Sequence, residues 1–312
     1  MAAIETKRLS KFYGAHRGIE QITLSVERGE VFGFLGPNGA GKTTLIRTLL
    51  DLLHPTSGSA TVLGLDSHRD RIEIRKRIGN LAGDFSWQPK RTGSELLSLI
   101  AGLRGVTEMD YAQALAERFN ADLTRPLGQL SRGNRQKIGL LQALFHRPDL
   151  LILDEPTGGL DPLMQEEFMA VVSEERERGA TVFLSSHELD EVQRMCDRAG
   201  IIRDGRLVAV EDIGELMSKS DRKVSFTLAE TDIDPGEFRD LDGVGNFSAD
   251  GPEISFTHRG PIDPVVKLLS RHTVVELDLT HPSLEELFLA YYTGGRSTGD
   301  RPDSGDGDEA AG

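Results

Sequence analysis

The chain has 312 residues, 38% hydrophobic and 28% charged, with a formal net charge of −14. Such a composition fits one large globular domain or two, and it argues against broad, unspecific nucleic-acid binding, which relies on lysine and arginine neutralising phosphates. A single cysteine, Cys196, excludes an internal disulfide, no apolar run approaches the ~18 residues of a membrane span, and no charged-then-apolar signal peptide opens the chain.

In chain order, apolar runs at Ile22–Val26 and Val31–Leu35 predict strands, and a helix-competent run follows at Thr43–Leu53. Between strand and helix stand Gly36, Pro37, Asn38, Gly39, Ala40, Gly41, Lys42, Thr43 and Thr44, a full match to the G-x-x-x-x-G-K-[ST] phosphate loop. Its glycines let the backbone curl so that successive N–H groups face a polyphosphate, and the helix adds its positive N-terminal end. Lys42 is placed to reach the β- and γ-phosphates, and the Thr43 hydroxyl to occupy one position on Mg²⁺.

Ser59–Leu63 reads as a further strand, and residues 92–146 read as mostly helical, with amphipathic stretches at Glu95–Leu103, Tyr111–Phe119 and Arg135–Phe145. The turn Leu130-Ser131-Arg132-Gly133-Asn134 opens the last of these. A serine, a glycine and a fresh helix N-terminus make a second anion-binding device. Next comes Leu150–Leu153, an apolar strand ending in Asp154 and Glu155, expected to lie beside the phosphate-loop strand. There Asp154 reaches Mg²⁺ and Glu155 orients an attacking water as general base. Thr181–Leu184 is another buried strand, and His187 after it falls on the ligand edge of an open parallel sheet, where it can hydrogen-bond a γ-phosphate; the alternative is a histidine at a helix N-terminus. Cys196 reads as a small packed residue, and Gly200–Ile202 as a strand. Two γ-phosphate devices in one chain are redundant within one subunit, which implies a site closed between two.

Around residue 220 the texture changes. Val224–Leu228, Gly245–Ser248, Glu253–Thr257 and Thr273–Leu279 predict strands, and Pro264–Ser270 and Ser283–Tyr292 helices, giving a small α+β appendage without a catalytic motif. From Gly294 onward five acids face two bases and the chain loses its apolar residues down to Ala310 and Ala311, so residues 294–312 read as a disordered acidic tail.

The order of phosphate loop, Leu-Ser-x-Gly turn, Leu-Leu-Ile-Leu-Asp-Glu-Pro-Thr, Gly159-Leu160-Asp161 and Ser185-Ser186-His187 resembles the ATP-binding subunit of ABC transporters over about residues 1–212. The end of the appendage, Pro282-Ser283-Leu284-Glu285-Glu286-Leu287-Phe288, is similar to the extension of ABC-2-type export ATPases, including drug and antibiotic efflux subunits. The resemblance implies an α/β P-loop cassette: a mostly parallel core sheet, N-terminal antiparallel strands and a helical insertion, with a C-terminal α+β extension. The implied boundaries are 1–215 for the cassette, about 84–146 for its helical part, 216–293 for the extension and 294–312 for the tail.

It further implies that Tyr13 stacks on adenine (a strand-end tyrosine packing on the core is the alternative), that Ser131 and Gly133 touch the γ-phosphate across a dimer, and that Asp161 signals between the two sites. ATP and Mg²⁺ are the implied ligands. A second ATP-binding subunit, identical or paralogous, and a separate transmembrane permease are the implied partners, nucleic acid is not one, and the chain is expected in the cytoplasm on the inner face of the membrane. Two departures stand out. Arg132 and Asn134 flank Gly133 where the usual signature differs, with Arg132 meeting the nucleotide ribose or solvent. Gly83 occupies the position of a glutamine that senses Mg²⁺ and contacts the permease, with Asp84 and Gln88 as the nearest substitutes. The rival readings are a soluble ABC ATPase of repair or translation, a module that holds ATP without turnover, and a nucleotide kinase. Repair types carry long coiled-coil insertions and translation types usually two cassettes; neither feature is visible. A kinase has no use for the Leu-Ser-x-Gly turn.

Overall fold

The computed structural model describes residues 2–83, 89–230 and 234–280. The expected helix Ser283–Tyr292, the acidic tail, and Asp84 and Gln88 lie outside the described residues. Two compact units divide at Ser218.

In the first unit β1 (Ala2–Tyr13) and β2 (His16–Glu27) pair antiparallel. Then come β3 (Val31–Leu35), α1 (Lys42–Leu49), β4 (Ser57–Val62), β5 (Leu65–Asp66), α2 (Arg71–Arg77) and β6 (Ile78–Leu81). A helical stretch follows with α3 (Gly93–Arg104), α4 (Asp110–Arg118) and α5 (Arg132–Leu144), and the chain returns through β7 (Leu150–Asp154), α6 (Pro162–Glu177), β8 (Thr181–Ser186), α7 (Leu189–Met195), β9 (Arg198–Arg203), β10 (Arg206–Asp212) and α8 (Ile213–Lys219).

The central sheet runs β10-β9-β3-β8-β7-β6, parallel except for the β10 edge. Strands β3, β7 and β8 are buried at every residue, as strands covered on both faces must be. A second sheet, β2-β1-β4-β5, is antiparallel. Phe183 of β8 stacks on Phe32 of β3 with centroids 5.9 Å apart and meets Phe34 tilted at 5.6 Å, and burial of each such side chain contributes about 1.5–3 kcal/mol.

Several expectations need correction. The carboxylate strand β7 does not lie beside β3, because β8 pairs with both and separates them. Strand β1 has no counterpart among the strands read from the sequence. Its register slips at several points, and Arg8 takes a left-handed φ of 46°, so its apolar residues do not alternate. Helix α1 stops at Leu49, short of Leu53, because Asp51 turns left-handed (φ 53°) and the N–H groups of Leu52 and Leu53 fold back onto the Arg47 carbonyl. Between α4 and α5 the chain leaves the α-helix, and only a 3-10 turn at Leu127–Gln129 is helical there. Asn120 is left-handed, and the Asp122 carboxylate collects the N–H groups of Thr124 and Arg125. Pro126 then holds Arg125 away from helical geometry. Cys196 is buried as the residue after α7.

α3 begins at a capping box, Thr92 with Glu95, and ends at left-handed Gly105. α4 is fastened to α6 by Arg118, whose guanidinium donates to Glu167 at 2.6 Å and Glu174 at 2.7 Å and 2.8 Å.

The second unit contains β11 (Arg222–Leu228), α9 (Gly236–Arg239), β12 (Val244–Asp250), β13 (Glu253–His258), α10 (Asp263–Leu269) and β14 (Val274–Thr280). Its sheet is antiparallel in the order β12-β13-β11-β14. Phe226, Phe238, Phe256, Val265 and Leu269 form its core.

Candidate active site

The C-terminal ends of β3, β7 and β8 open on one edge of the central sheet, the edge where open parallel sheets bind ligands. Gly36 leaves β3 so close to β9 that a Cβ there would lie 2.4 Å from the Ile202 carbonyl oxygen. Gly41 has φ 112°, and a Cβ on it would meet the Gly18 oxygen at 2.5 Å. Only glycine fits these two positions, and they turn the strand into α1 within six residues. α1 starts without a side-chain cap, so its first N–H groups face outward as an anion seat.

Lys42 is almost buried. Its Nζ donates to the Gly36 oxygen at 2.6 Å and the Pro37 oxygen at 3.4 Å, and lies 3.1 Å from Glu155 Oε1. The ammonium is therefore fixed inside the loop and aimed at the carboxylate after β7. The Thr43 hydroxyl donates to Asp154 Oδ2 at 2.8 Å, and the Ser185 hydroxyl to Asp154 Oδ1 at 2.5 Å. Two hydroxyls thus satisfy both oxygens of a buried carboxylate.

Glu155 has a left-handed φ of 51°, a strained conformation for a residue with a side chain. It is held from two sides. Its N–H donates to the Ser185 carbonyl and hydroxyl at 3.2 Å and 3.1 Å, while Gln136 Nε2 donates to the Glu155 and Pro156 carbonyls at 3.0 Å and 2.8 Å. His187 Nδ1 then meets Glu155 Oε2 at 2.6 Å. A cavity of about 310 Å³ lies over these groups, with Tyr13, Arg17, Asn38, Lys42, Thr43 and Glu155 among its walls. Tyr13 ends β1 as an exposed ring on that wall, so it is not a core tyrosine.

The sheet edge therefore assembles the phosphate loop, Thr43, Asp154, Glu155 and His187. Ser131, Gly133 and Asp161 do not line this cavity. Ser131 is exposed and caps α5, accepting from the Asn134 N–H at 3.2 Å. Gly133 packs so tightly that a Cβ would sit 2.5 Å from the Gly159 oxygen. The Arg132 stem runs beside Gly159, where a Cβ would meet its Cγ at 3.3 Å. Asp161 caps α6, accepting from the Met164 N–H at 3.0 Å. Gly83 faces the metal-side carboxylate: a Cβ there would lie 3.1 Å from Asp154 Oδ2.

Three residues of the site had escaped the sequence reading. Ser185 and Gln136 both hold the C-terminal end of β7, and Glu191, buried, receives the Ser186 hydroxyl at 2.8 Å. Burial pushes the Glu191 carboxyl above the usual range, against the hydrogen bonds from Thr157 and Ser186. The available signal was Ser185-Ser186 at the end of an apolar strand, since buried hydroxyls require partners.

A family model described as ABC transporter matches residues 19–158. The bacitracin transport ATP-binding protein BcrA of Bacillus licheniformis is 31% identical over 299 residues, covering 94% of this chain and 98% of the relative. The linearmycin resistance ATP-binding protein LnrL of Bacillus subtilis (strain 168) is 31% identical over 303 residues, covering 92% and 97%. Among solved structures, an ATP binding subunit of an ABC transporter matches with TM-score 0.64 at 30% identity, covering 69% of this chain and 91% of that one. A dimeric ATP-binding cassette in a post-hydrolysis state, bound to ADP and Pi, shares the fold with TM-score 0.62 at 23% identity, covering 67% and 98%.

Proposed function

The chain belongs to the ABC transporter family as an ATP-hydrolysing, ATP-binding protein, and from that premise we propose that it is the motor subunit of a drug or antibiotic exporter. Two such subunits close around two nucleotides and drive a separate transmembrane permease, which holds them on the cytoplasmic face of the membrane. The relatives that support the exporter reading are named for bacitracin transport and linearmycin resistance. Among the described residues no helix is long and apolar enough to cross a membrane, so the reading assigns the membrane path to another chain.

The observation that carries the catalytic reading is the convergence of Lys42, Thr43, Asp154, Glu155 and His187 on one sheet edge. Lys42 binds phosphate oxygens as a fixed point charge. Tyr13 offers a stacking face for a base. Thr43 and Asp154, two hard oxygen donors 2.8 Å apart, suit Mg²⁺ and would hold it. Bound there with the nucleotide, Mg²⁺ neutralises phosphate charge. Glu155 orients a water and accepts its proton at the carboxylate; His187, 2.6 Å away, fixes the direction of that carboxylate. Ser131 and Gly133 stand outside their own cavity, which favours their service to the nucleotide of a second subunit. With that bridge, nucleotide binding closes the pair, and hydrolysis reopens it as a population shift. Asp161, at the head of α6, carries the signal between the two sites.

Glu155→Gln tests the assignment. The variant should bind ATP with near wild-type affinity, hydrolyse it about 10²–10⁴-fold more slowly and accumulate as a nucleotide-bound dimer. Wild-type turnover by this variant removes Glu155 from the role of base. Specific activity that stays constant on dilution of the wild type removes the paired site.

A further inference from the structure

Away from the nucleotide cavity, two histidines converge on one carboxylate oxygen. The reversal after α1 brings His54 back over Asp51, so that its Nδ1 lies 3.2 Å from Asp51 Oδ1. From the other side, the turn after β5 is built on Asp66, whose Oδ1 accepts the N–H groups of His68 at 3.1 Å and Arg69 at 2.9 Å. That turn delivers His68 Nδ1 to 2.9 Å from the same Asp51 Oδ1. The two imidazoles meet edge-on with centroids 4.9 Å apart. All three donor atoms lie within 4.8 Å of one another.

The Asp51 side chain is only 5% exposed, whereas those of His54 and His68 are 71% and 58% exposed. The cluster thus has an anchored base and an open solvent side. Tetrahedral Zn²⁺, with ligand bonds of about 2.0–2.2 Å, needs donor atoms roughly 3.3 Å apart. The two His–Asp separations are close to that value. Asp51 also stands at the C-terminal end of α1, where the helix dipole disfavours an anion and a cation is welcome. The cation already facing it, Arg71, has its Nε 3.7 Å from the other oxygen, Oδ2.

We propose that Asp51, His54 and His68 form a binding site for a divalent d-block cation, with Zn²⁺ the best fit and the fourth position left to solvent. Imidazole ligands select such ions over Mg²⁺, which separates this site from the oxygen pair at Thr43 and Asp154. The ion clips the C-terminal end of α1 to the β5–α2 turn. Arg71 adds a like charge nearby, so binding is weaker than in a structural zinc finger.

The test titrates chelator-treated full chain with Zn²⁺ in millimolar Mg²⁺, followed by calorimetry and thermal unfolding. Wild type should bind one Zn²⁺ at this site and melt at a higher temperature with it. His54→Ala and His68→Ala should each weaken binding at least about tenfold, and the double variant should abolish the thermal shift. Both rings are exposed, so circular dichroism should report unchanged folds for these variants. His187→Ala, which removes the histidine of the other site, should keep the tight binding. Equal Zn²⁺ affinity in wild type and double variant, or loss of tight binding in His187→Ala alone, overturns the site.

Discussion

In the first unit the buried polar side chains include Lys42, Asp154, Thr157, Ser185, Ser186 and Glu191; in the second, His258 is the one such side chain among the described residues. The contrast follows from strand direction. Parallel β3, β8 and β7 end on the same edge, so the loops that follow them meet and their polar residues satisfy one another. The antiparallel sheet of the second unit sends successive strand ends to opposite edges, and no such set of loops is gathered among the described residues. Its interior is a plain aromatic and aliphatic core. Chemistry concentrates where the topology collects chain ends.

The largest expected effect tests whether packing and chemistry are separable. Phe238, fully buried with its ring 4.8 Å from Phe226, carries the core of the second unit. Phe238→Ala should cost about 3–5 kcal/mol of stability there and leave ATP hydrolysis near wild type. Calorimetry with and without nucleotide checks it; a matching collapse of ATPase activity would join the two units functionally.

Acid should strike the first unit selectively, by a somewhat smaller amount. Burial, aided by the Arg104 charge, lowers the His146 pKa to about 4, against the hydrogen bond to the Ile78 oxygen. Below pH ~6.5 the unfolded chain takes up a proton that the folded chain refuses until about pH 4. Stability from this group is therefore complete above the unfolded value and declines as pH falls, by about 3 kcal/mol in all. Denaturant unfolding across that range should show the slope in wild type and a flatter profile in His146→Gln.

Ser185→Ala strips one hydroxyl from Asp154 and from the Glu155 N–H. A loss of about 1–3 kcal/mol is expected, with a several-fold rise in the Mg²⁺ concentration for half-maximal hydrolysis. An unchanged Mg²⁺ requirement would leave Ser185 a purely structural residue. Smallest is Tyr13→Ala, which should raise KM for ATP by about 2–13-fold (about 0.5–1.5 kcal/mol) at unchanged kcat, with Tyr13→Phe restoring it. Equal KM values in all three proteins would take the ring off the base.

What lies in consecutive residues was legible without a structure. Gly36–Thr44 announces its turn because the glycines and the lysine all act on the one short stretch they occupy. Leu150–Glu155 and Thr181–His187 announce buried strands with polar ends for the same reason: contiguous apolar runs record burial on both faces. The helix start at Ser131 is written as local capping chemistry.

Tertiary structure alone decided the lateral order of strands, because β8 enters between β3 and β7 from residues some 30 positions further on. It also decided that Gln136 holds the Glu155 turn, that Gly83 faces Asp154, and that His68 reaches Asp51 across 17 positions. Bulged β1 stayed hidden because its alternation is broken by register slips that only its two partner strands specify. Local chemistry is encoded by neighbours along the chain; who meets whom across the sheet depends on packing that no short stretch contains.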